Sequence, residues 1–277
     1  RRQQSKDGTV KYLFRLPDGN CIETVLMRYS YGNTVCVSTQ VGCRMGCRFC
    51  ASTIGGLKRN LTPGEIAGQI LAAQRETGQR ISHVVVMGTG EPFDNYENLA
   101  KFLHIIHDPN GLNLSMRNIT VSTCGLVPMI ARFAEDFPQV NLAISLHAVS
   151  NEMRDEIMPV NKAYPMETLL SACRDYTQKT ARRVTFEYTL VKGVNDSAEY
   201  ARKLAARLQG MLCHVNLIPL NKVEETGYDT SERGAVLRFQ QVLTECGIPA
   251  TIRRELGDDI ASCGLQKRDR HVLIFFS

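Results

Sequence analysis

The sequence predicts an α/β fold, a partial (β/α)6 barrel of parallel strands behind a short N-terminal β extension. Three observations predict it. Strand-like and helix-like stretches alternate over most of the chain, which calls for a parallel sheet with crossover helices. Several of the strands are apolar throughout, as expected where both faces of a sheet are buried. Polar and glycine-rich residues recur at one end of strand after strand, and in such folds the carboxyl ends of the strands carry the working residues. The rhythm gives about six β/α units rather than eight, so the barrel is read as incomplete. A length of 277 residues with 43% hydrophobic content is enough for one core of this kind.

In chain order, residues 9 to 37 hold the runs Val10-Lys-Tyr-Leu-Phe-Arg-Leu16, Cys21-Ile-Glu-Thr-Val-Leu-Met27 and Thr34-Val-Cys-Val-Ser38. They are separated by Pro17-Asp-Gly-Asn20 and Tyr31-Gly-Asn33. Those separators are turn chemistry, so antiparallel strands are expected. Thr62-Pro63-Gly64-Glu65 is a capping box with proline at the first helical position. It predicts a helix from Pro63 with Ile66, Ile70 and Leu71 on one face. Later strands are expected at Ile81 to Met87, Asn118 to Ser122, Val140 to Ser145, Arg183 to Val191, His214 to Pro219 and Ala250 to Arg254. Asp196-Ser-Ala-Glu199 reads as the cap of a helix that carries Leu204 and Leu208 and stops at Gly210, and Thr230 to Glu245 as a helix that stops at Gly247. The expected divisions are 1–33 for the β extension, 34–255 for the core and 256–277 for a C-terminal loop and tail.

Ten cysteines in a chain this long and this apolar do not call for a disulfide framework, so a reducing, cytoplasmic setting is expected. No run of 18 apolar residues occurs, and Arg1-Arg-Gln-Gln-Ser-Lys-Asp7 has no apolar signal-peptide core, so neither a membrane span nor secretion is supported. The lack of an initiating methionine suggests a missing preceding segment. Net charge is +5, yet the first 60 residues alone carry ten Lys/Arg against Asp7, Asp18 and Glu23, which makes them +7 and leaves −2 for the other 217. Such an excess suits a phosphate-backbone partner, though a solvated basic face would look the same.

The stretch that organises the chain is Cys43-Arg-Met-Gly-Cys47-Arg-Phe-Cys50, in C-x3-C-x2-C spacing on the loop leaving a strand. Three thiolates can hold a four-iron cluster and leave one iron without a protein ligand, where chemistry can occur. Zinc is the alternative, with Cys36 as the nearest fourth ligand, and three buried small side chains the other. Gly88-Thr-Gly90-Glu91-Pro92 brings backbone close to a ligand and sets a carboxylate beside it, which suits an ammonium group. A strand-to-loop turn with a capping glutamate would look similar. Ser122, Ser145, His147 and Asn221 also fall at strand ends, and their shared placement describes a pocket. Cys263, in a short polar loop after the last strand, reads as a nucleophile or redox partner as readily as a structural thiol. Cys21, Cys124, Cys173, Cys213 and Cys246 fall in or beside elements and are read as core or left unassigned.

The cysteine loop followed by Gly-Glu-Pro resembles the radical S-adenosylmethionine (SAM) superfamily. With Cys36-Val-Ser-Thr-Gln-Val-Gly-Cys43, Ser145-Leu-His-Ala148, Asn221 and the late Cys263-Gly264, the chain is similar to the RlmN/Cfr family of RNA adenine methyltransferases, from about Asp7 to Gly264. The resemblance implies a partial barrel holding a [4Fe–4S] cluster on Cys43, Cys47 and Cys50, with the remaining iron chelating SAM. It implies that Gly90 and Glu91 hold the SAM amino end and that Ser122, Ser145, Leu146, His147 and Asn221 line the rest of its site. Cys263 would be the cysteine that becomes methylated, Cys36 the resolving cysteine, and Glu23, thirteen residues before Cys36, the proton acceptor.

An adenine ring carbon is neither acidic nor a good nucleophile, so polar methyl transfer has no purchase there. The implied route uses two SAM per turnover. One methylates Cys263; the other yields a radical that activates this methyl group for addition to adenine, and Cys36 then attacks the sulfur of Cys263, leaving a disulfide that must be reduced. The implied partners are 23S rRNA and tRNA, with a low-potential electron donor such as flavodoxin or ferredoxin; a monomer without membrane contact is expected. Gly90-Glu91-Pro92 is the RlmN-like form, which favours carbon 2 of adenine; a Cfr-like enzyme acting on carbon 8 and conferring antibiotic resistance is the alternative. A zinc-stabilised RNA-binding module is the rival from another class. The chain departs from the family in reading Gly264-Leu265-Gln266 for Gly-Gln-Leu, and the family's preceding helical RNA-binding domain lies outside it.

Overall fold

The computed structural model describes residues 1–220, 228–254, 256–257 and 259–260, and the chain forms two compact units. The first comprises Arg1–Gly46 and Cys50–Ser122 with the described residues from Leu256 to Ile260; the second comprises Cys47–Phe49 and Thr123–Arg254.

In chain order the first unit holds β1 (Arg2–Gln4), β2 (Val10–Arg15), β3 (Cys21–Tyr29), β4 (Gly32–Cys36), β5 (Gln40–Val41), β6 (Arg59–Asn60), α1 (Pro63–Thr77), β7 (Ile81–Val86), α2 (Tyr96–His107) and β8 (Ile119–Thr123), whose last residue belongs to the second unit. β1 to β4 form an antiparallel meander, and β4, β7 and β8 continue it in parallel, so the sheet changes character where the β/α rhythm begins. The expected strands are therefore present. The β3–β4 turn is Ser30-Tyr31, one residue earlier than its sequence signal, because Tyr29 pairs with Gly32. Gly32 is needed there: at φ +133°, a Cβ would stand 2.1 Å from Ser82 Oγ.

The capping box of α1 forms as read, with Thr62 Oγ1 accepting the Glu65 N–H at 3.2 Å and Glu65 Oε2 accepting the Thr62 N–H at 2.9 Å. Ile66 and Ile70 are buried, but Leu71 is exposed. Five residues after Ile66, it is turned about 140° from it on an α-helix, outside the buried stripe.

The second unit holds α3 (Val127–Asp136), β9 (Asn141–Ser145), α4 (Asn151–Ile157), α5 (Met166–Thr180), β10 (Val184–Leu190), α6 (Ala198–Leu208), β11 (Cys213–Pro219), α7 (Arg233–Glu245) and β12 (Ala250–Ile252). β9 to β12 are parallel neighbours in chain order. One face of β10 meets helices, Tyr188 packing at a tilt against Phe239 of α7 with ring centroids 5.2 Å apart. By alternation the other face carries Thr185, Glu187 and Thr189. Two expected helix starts shift. Ser197, rather than Asp196, caps α6 by accepting the Tyr200 N–H, because the Asp196 carboxylate is engaged by Gly193 N–H and Ser231 Oγ. α7 begins at Arg233 because Thr230 is drawn into a bridge with Val191.

Among the described residues, strand is followed by helix from β4 to α7 in six steps, matching the expected number. Among the described residues no helix is long and apolar enough to cross a membrane.

Candidate active site

β4 ends on Cys36, and the next four residues are held tightly in the first unit. Val37 N–H donates to Val85 O, Gly88 N–H to Val37 O, and both Thr39 and Gln40 N–H to Thr89 O. From α1, the buried Gln69 side chain grips Ser38 like an extra strand: its Oε1 accepts the Ser38 N–H and its Nε2 donates to Ser38 O, both at 2.9 Å. Ser38 Oγ then donates to Glu23 O at 2.7 Å and accepts the Thr89 N–H at 3.0 Å.

The glycines opposite are explained by this approach of two chains. A Cβ on Gly88 would stand 2.7 Å from Val37 O, and one on Gly90, at φ +109°, 2.6 Å from Gln40 Cβ. The space beside Gly90 is thus filled by Gln40, whose Oε1 accepts the Glu91 N–H at 2.8 Å.

β5 and β6 pair antiparallel, Gln40 with Asn60 and Val41 with Arg59, and close the loop that carries the cysteines. At the neck of this loop Gly42 has φ +75°, and a Cβ there would stand 1.9 Å from the carbonyl oxygen of Gly56. The obstructing atom is backbone, so no flexible side chain can yield. Gly42→Ala is expected to destabilise the loop by about 2–3 kcal/mol and to purify with less than half the wild-type iron and sulfide, measured on anaerobically prepared protein.

Within the first unit, Cys43 is buried and its thiol is pushed up to about 12, by burial first and then by the charges of Glu91, Cys50 and Asp94. Burial likewise pushes the Cys50 thiol up. Such thiols stay protonated until a metal or a cation replaces the proton. Glu91 is buried, and its Oε1 caps the short turn Pro92–Asn95 by accepting the Phe93 N–H at 3.0 Å. The capping role weighed from sequence is therefore present, while the carboxylate also lies within electrostatic range of Cys43. Arg44 pairs with Asp94, which also accepts Gln40 Nε2 at 3.0 Å.

Cys36 pairs across the ladder with Val25, and Glu23 lies two residues from Val25 on β3. Cross-strand partners and alternate residues share a face, so Glu23 and Cys36 project to the same side of the sheet. Both are buried. Ser122 is buried near the carboxyl end of β8.

In the second unit, Ser145, Leu146 and His147 run out of β9. His147 adopts φ +56°, a left-handed conformation uncommon for a side-chain-bearing residue. Its Nδ1 accepts the Thr189 N–H at 2.9 Å, its carbonyl accepts Asn195 Nδ2 at 2.9 Å, and Phe49 packs edge-on against the ring at 4.8 Å. With Nδ1 an acceptor, the proton of the neutral ring lies on Nε2, a fully buried donor with no partner among the described residues. Burial, helped by the Arg154 charge, takes its pKa down to about 3, so the ring is neutral near pH 7. Cys47–Phe49 is tied down by Arg48 N–H donating to Ile157 O at 2.9 Å.

Sequence reasoning missed Arg154. Its guanidinium is wholly buried and donates to the carbonyls of Cys124 at 2.7 Å, Ser145 at 3.2 Å and Leu146 at 3.3 Å, and to Asn161 Oδ1 at 3.2 Å. It also feels Cys47 electrostatically. On a helix, a lone arginine reads as solvated surface, and nothing local marks it otherwise. Asn195 was missed for the same reason: its side chain closes the loop after β10 through Val191 N–H, Thr189 O and His147 O. Glu187 stands in register between Ser145 and Asn216 and accepts Asn216 Nδ2 at 2.8 Å, its carboxyl raised by burial.

Asn221 and Cys263 lie outside the described residues. Among the described residues no three His, Cys, Asp or Glu side chains stand close enough together to hold a metal ion. The donor set nonetheless fits an iron–sulfur cluster by its chemistry. It consists of three thiols from eight consecutive residues, two of them shown to be desolvated, on a loop closed at its neck.

The pattern of the Radical SAM superfamily matches residues 37–205. A relative described as "Probable dual-specificity RNA methyltransferase RlmN" from Geobacillus kaustophilus is 56% identical over 274 residues, spanning 97% of this chain and 75% of its own length. The protein of the same description from Staphylococcus aureus (strain JH9) is 54% identical over 276 residues, 98% of this chain and 76% of its own. A crystal structure of a radical SAM methyltransferase from Sphaerobacter thermophilus superposes with a TM-score of 0.91 at 51% identity, covering 95% of this chain and 79% of that one.

Proposed function

The chain belongs to the RlmN family of radical SAM RNA methyltransferases, and from that premise we propose that it methylates carbon 2 of an adenosine in 23S rRNA and in some tRNAs. The observation that carries the reading is the set of family stations found along one chain: the closed cysteine loop, Gly90-Glu91-Pro92, Ser145-Leu-His147, and Glu23 with Cys36 on one sheet face. Proline at position 92 favours carbon 2 over carbon 8.

Cys43, Cys47 and Cys50 would hold the [4Fe–4S] cluster. When bound, it supplies the electron that cleaves SAM reductively. Glu91 would offer the SAM ammonium a buried carboxylate, and Gly90 its main-chain atoms. His147 offers a neutral Nε2–H donor, fixed in tautomer by Thr189 and in backbone by Asn195. Ser122, Ser145, Leu146 and Asn221 would complete the wall of the site. The Cys263 thiolate takes a methyl group, its S–C bond forming as the sulfonium bond of SAM breaks and S-adenosylhomocysteine leaves. Once the radical that the second SAM would yield has taken a hydrogen atom from this methyl group, its carbon would join carbon 2 of adenine, and Glu23 would accept the ring proton as the adduct gives up one electron. Cys36 attacks Sγ of Cys263, so that an S–S bond forms as the S–C bond to the methylated base breaks. Two electrons from a reductant then restore both thiols.

Turnover would use two SAM molecules and a low-potential donor such as flavodoxin or ferredoxin, by a cytoplasmic monomer. The +7 charge of residues 1 to 60 supports RNA backbone contact. The target adenosine must be unpaired or unstacked to be reached. The test uses reconstituted protein, reductant, unmodified ribosomal RNA and SAM with a deuterated methyl group. Label is expected in RNA with wild type and not with Cys263→Ala; equal labelling by both would sink the methyl-carrier role.

A further inference from the structure

Gln69 occupies a place in the first unit's sheet that belongs to a strand. The β3–β4 ladder ends at the pair of Val25 with Cys36. Continued by two residues, its register would set Glu23 against Ser38, with the two main chains exchanging hydrogen bonds. At that place the main chain of Ser38 meets the Gln69 side chain of α1 instead. Oε1 accepts the Ser38 N–H and Nε2 donates to Ser38 O, both at 2.9 Å. Glu23 O receives the Ser38 hydroxyl at 2.7 Å in place of a ladder bond. On the other side Val37 N–H still pairs with β7, donating to Val85 O at 3.0 Å. The amide thus replaces β3 only, and only beyond Cys36.

The Gln69 amide is buried and used in full. Oε1 also accepts the Thr24 hydroxyl at 2.7 Å, and Nε2 also reaches Glu65 O at 3.4 Å, so both acceptor sites and both donors are engaged. Its orientation is fixed, because exchanging O and N would set donor against donor at Ser38. Thr24 reaches toward α1, so its neighbour Glu23 alternates to the opposite face, the one it shares with Cys36. Gln69 therefore holds both strands, one through Thr24 and the other through Ser38, and approaches them from the face away from Glu23 and Cys36.

We propose that Gln69 is a positioning residue that sets the spacing between Glu23 and Cys36. The inference rests on the roles assigned to those two residues above. Both act on one adduct, Glu23 on the proton of the ring carbon and Cys36 on a sulfur two bonds away from that carbon. Their separation must therefore match a fixed molecular length. In a ladder closed on Glu23 and Ser38, the strands would lie about 4.8 Å apart and the two side chains would take the diagonal of a regular sheet, roughly 7–8 Å. An amide inserted in the ladder holds the strands apart at Glu23, while the pair of Val25 with Cys36 keeps them in register just before it. A helix residue that touches neither reacting side chain thereby decides how far apart they stand.

The test compares wild type, Gln69→Leu and Gln69→Glu in the full chain, with Cys36→Ala as the control for trapping, on unmodified ribosomal RNA with SAM and reductant. Three quantities are read: iron content and the rate at which Cys263 gains a methyl group, which use neither Glu23 nor Cys36; the covalent protein–RNA species on denaturing gels; and the rate of product release against pH. Gln69→Leu keeps most of the volume and loses every bond of the amide. It is expected to retain iron and Cys263 methylation and to release product about 10–100-fold more slowly, with the covalent species accumulating. A neutral carboxyl can donate to Ser38 O while accepting the Ser38 N–H, and an ionised one cannot. Release by Gln69→Glu, relative to wild type, should therefore rise as pH falls from about 9 to about 6, a dependence that a simple packing defect would not bring. Three results would overturn the role of Gln69: wild-type release by Gln69→Leu while Cys36→Ala traps the adduct, a loss that only follows lost iron, or a loss in Gln69→Glu that equals that of Gln69→Leu at every pH. Wild-type release by Cys36→Ala would instead overturn the role of Cys36, and the inference with it.

Discussion

Cys36→Ala is expected to stop product release while leaving RNA attachment intact. The thiol sits at the end of β4, buried and paired across the ladder with Val25, so its loss removes one small atom from a strand that Val37, Ser38 and Gln69 continue to hold. The cost to folding is about 1 kcal/mol, small enough for the chemistry to be read. On the proposed mechanism, what disappears is the nucleophile that would break the S–C bond between Cys263 and the modified base. Turnover is expected to fall by about 10³-fold or more, with a covalent protein–RNA species accumulating on denaturing gels. That species should vanish in the Cys36→Ala/Cys263→Ala double variant. Free product at the wild-type rate from Cys36→Ala would show that another group resolves the adduct.

Replacing Arg154 is expected to be the most damaging change for stability. Its guanidinium donates to three main-chain carbonyls and to Asn161, all in the interior, with no carboxylate among these partners. Arg154→Met fills much of the volume but leaves those acceptors without their donor. Each buried group so stranded costs about 1–3 kcal/mol, partly offset because a buried charge no longer has to be desolvated. A net loss of about 3–5 kcal/mol is expected in urea unfolding of the protein without cluster. Arg154→Lys, with a single ammonium, should recover a minority of it. Because the carbonyls belong to Cys124, Ser145 and Leu146, SAM affinity should fall together with stability. A loss below about 1 kcal/mol in Arg154→Met would mean that the strand ends are held by other contacts.

The strands and α1 were legible because periodicity, a capping box and glycine stops act over a few residues, the same range over which the sequence can be read. Leu71 and the Asp196 cap were misplaced where position on the helix and competition for a side chain decided the outcome. The cysteine spacing was legible because it is itself local; that it is a ligand set belongs to the proposal. Gln69, Arg154 and Asn195 were not: each works through partners far along the chain or on main-chain atoms, and sequence spacing records neither. The pairing of Asp7 with Gly257 is the extreme case, since only the folded meander brings the two together. Glycine showed the converse limit. Gly88 and Gly90 were read as making room for a ligand, whereas the neighbouring chain at Val37 to Gln40 already requires them.

The most direct test of the central claim is mass spectrometry of nucleosides from unmodified 23S rRNA incubated anaerobically with reconstituted protein, SAM and reductant. The account predicts 2-methyladenosine, absent when Cys263 or any of Cys43, Cys47 and Cys50 is replaced by alanine. Finding 8-methyladenosine, or no methylated adenosine from protein that carries its cluster and methylates Cys263, would contradict it.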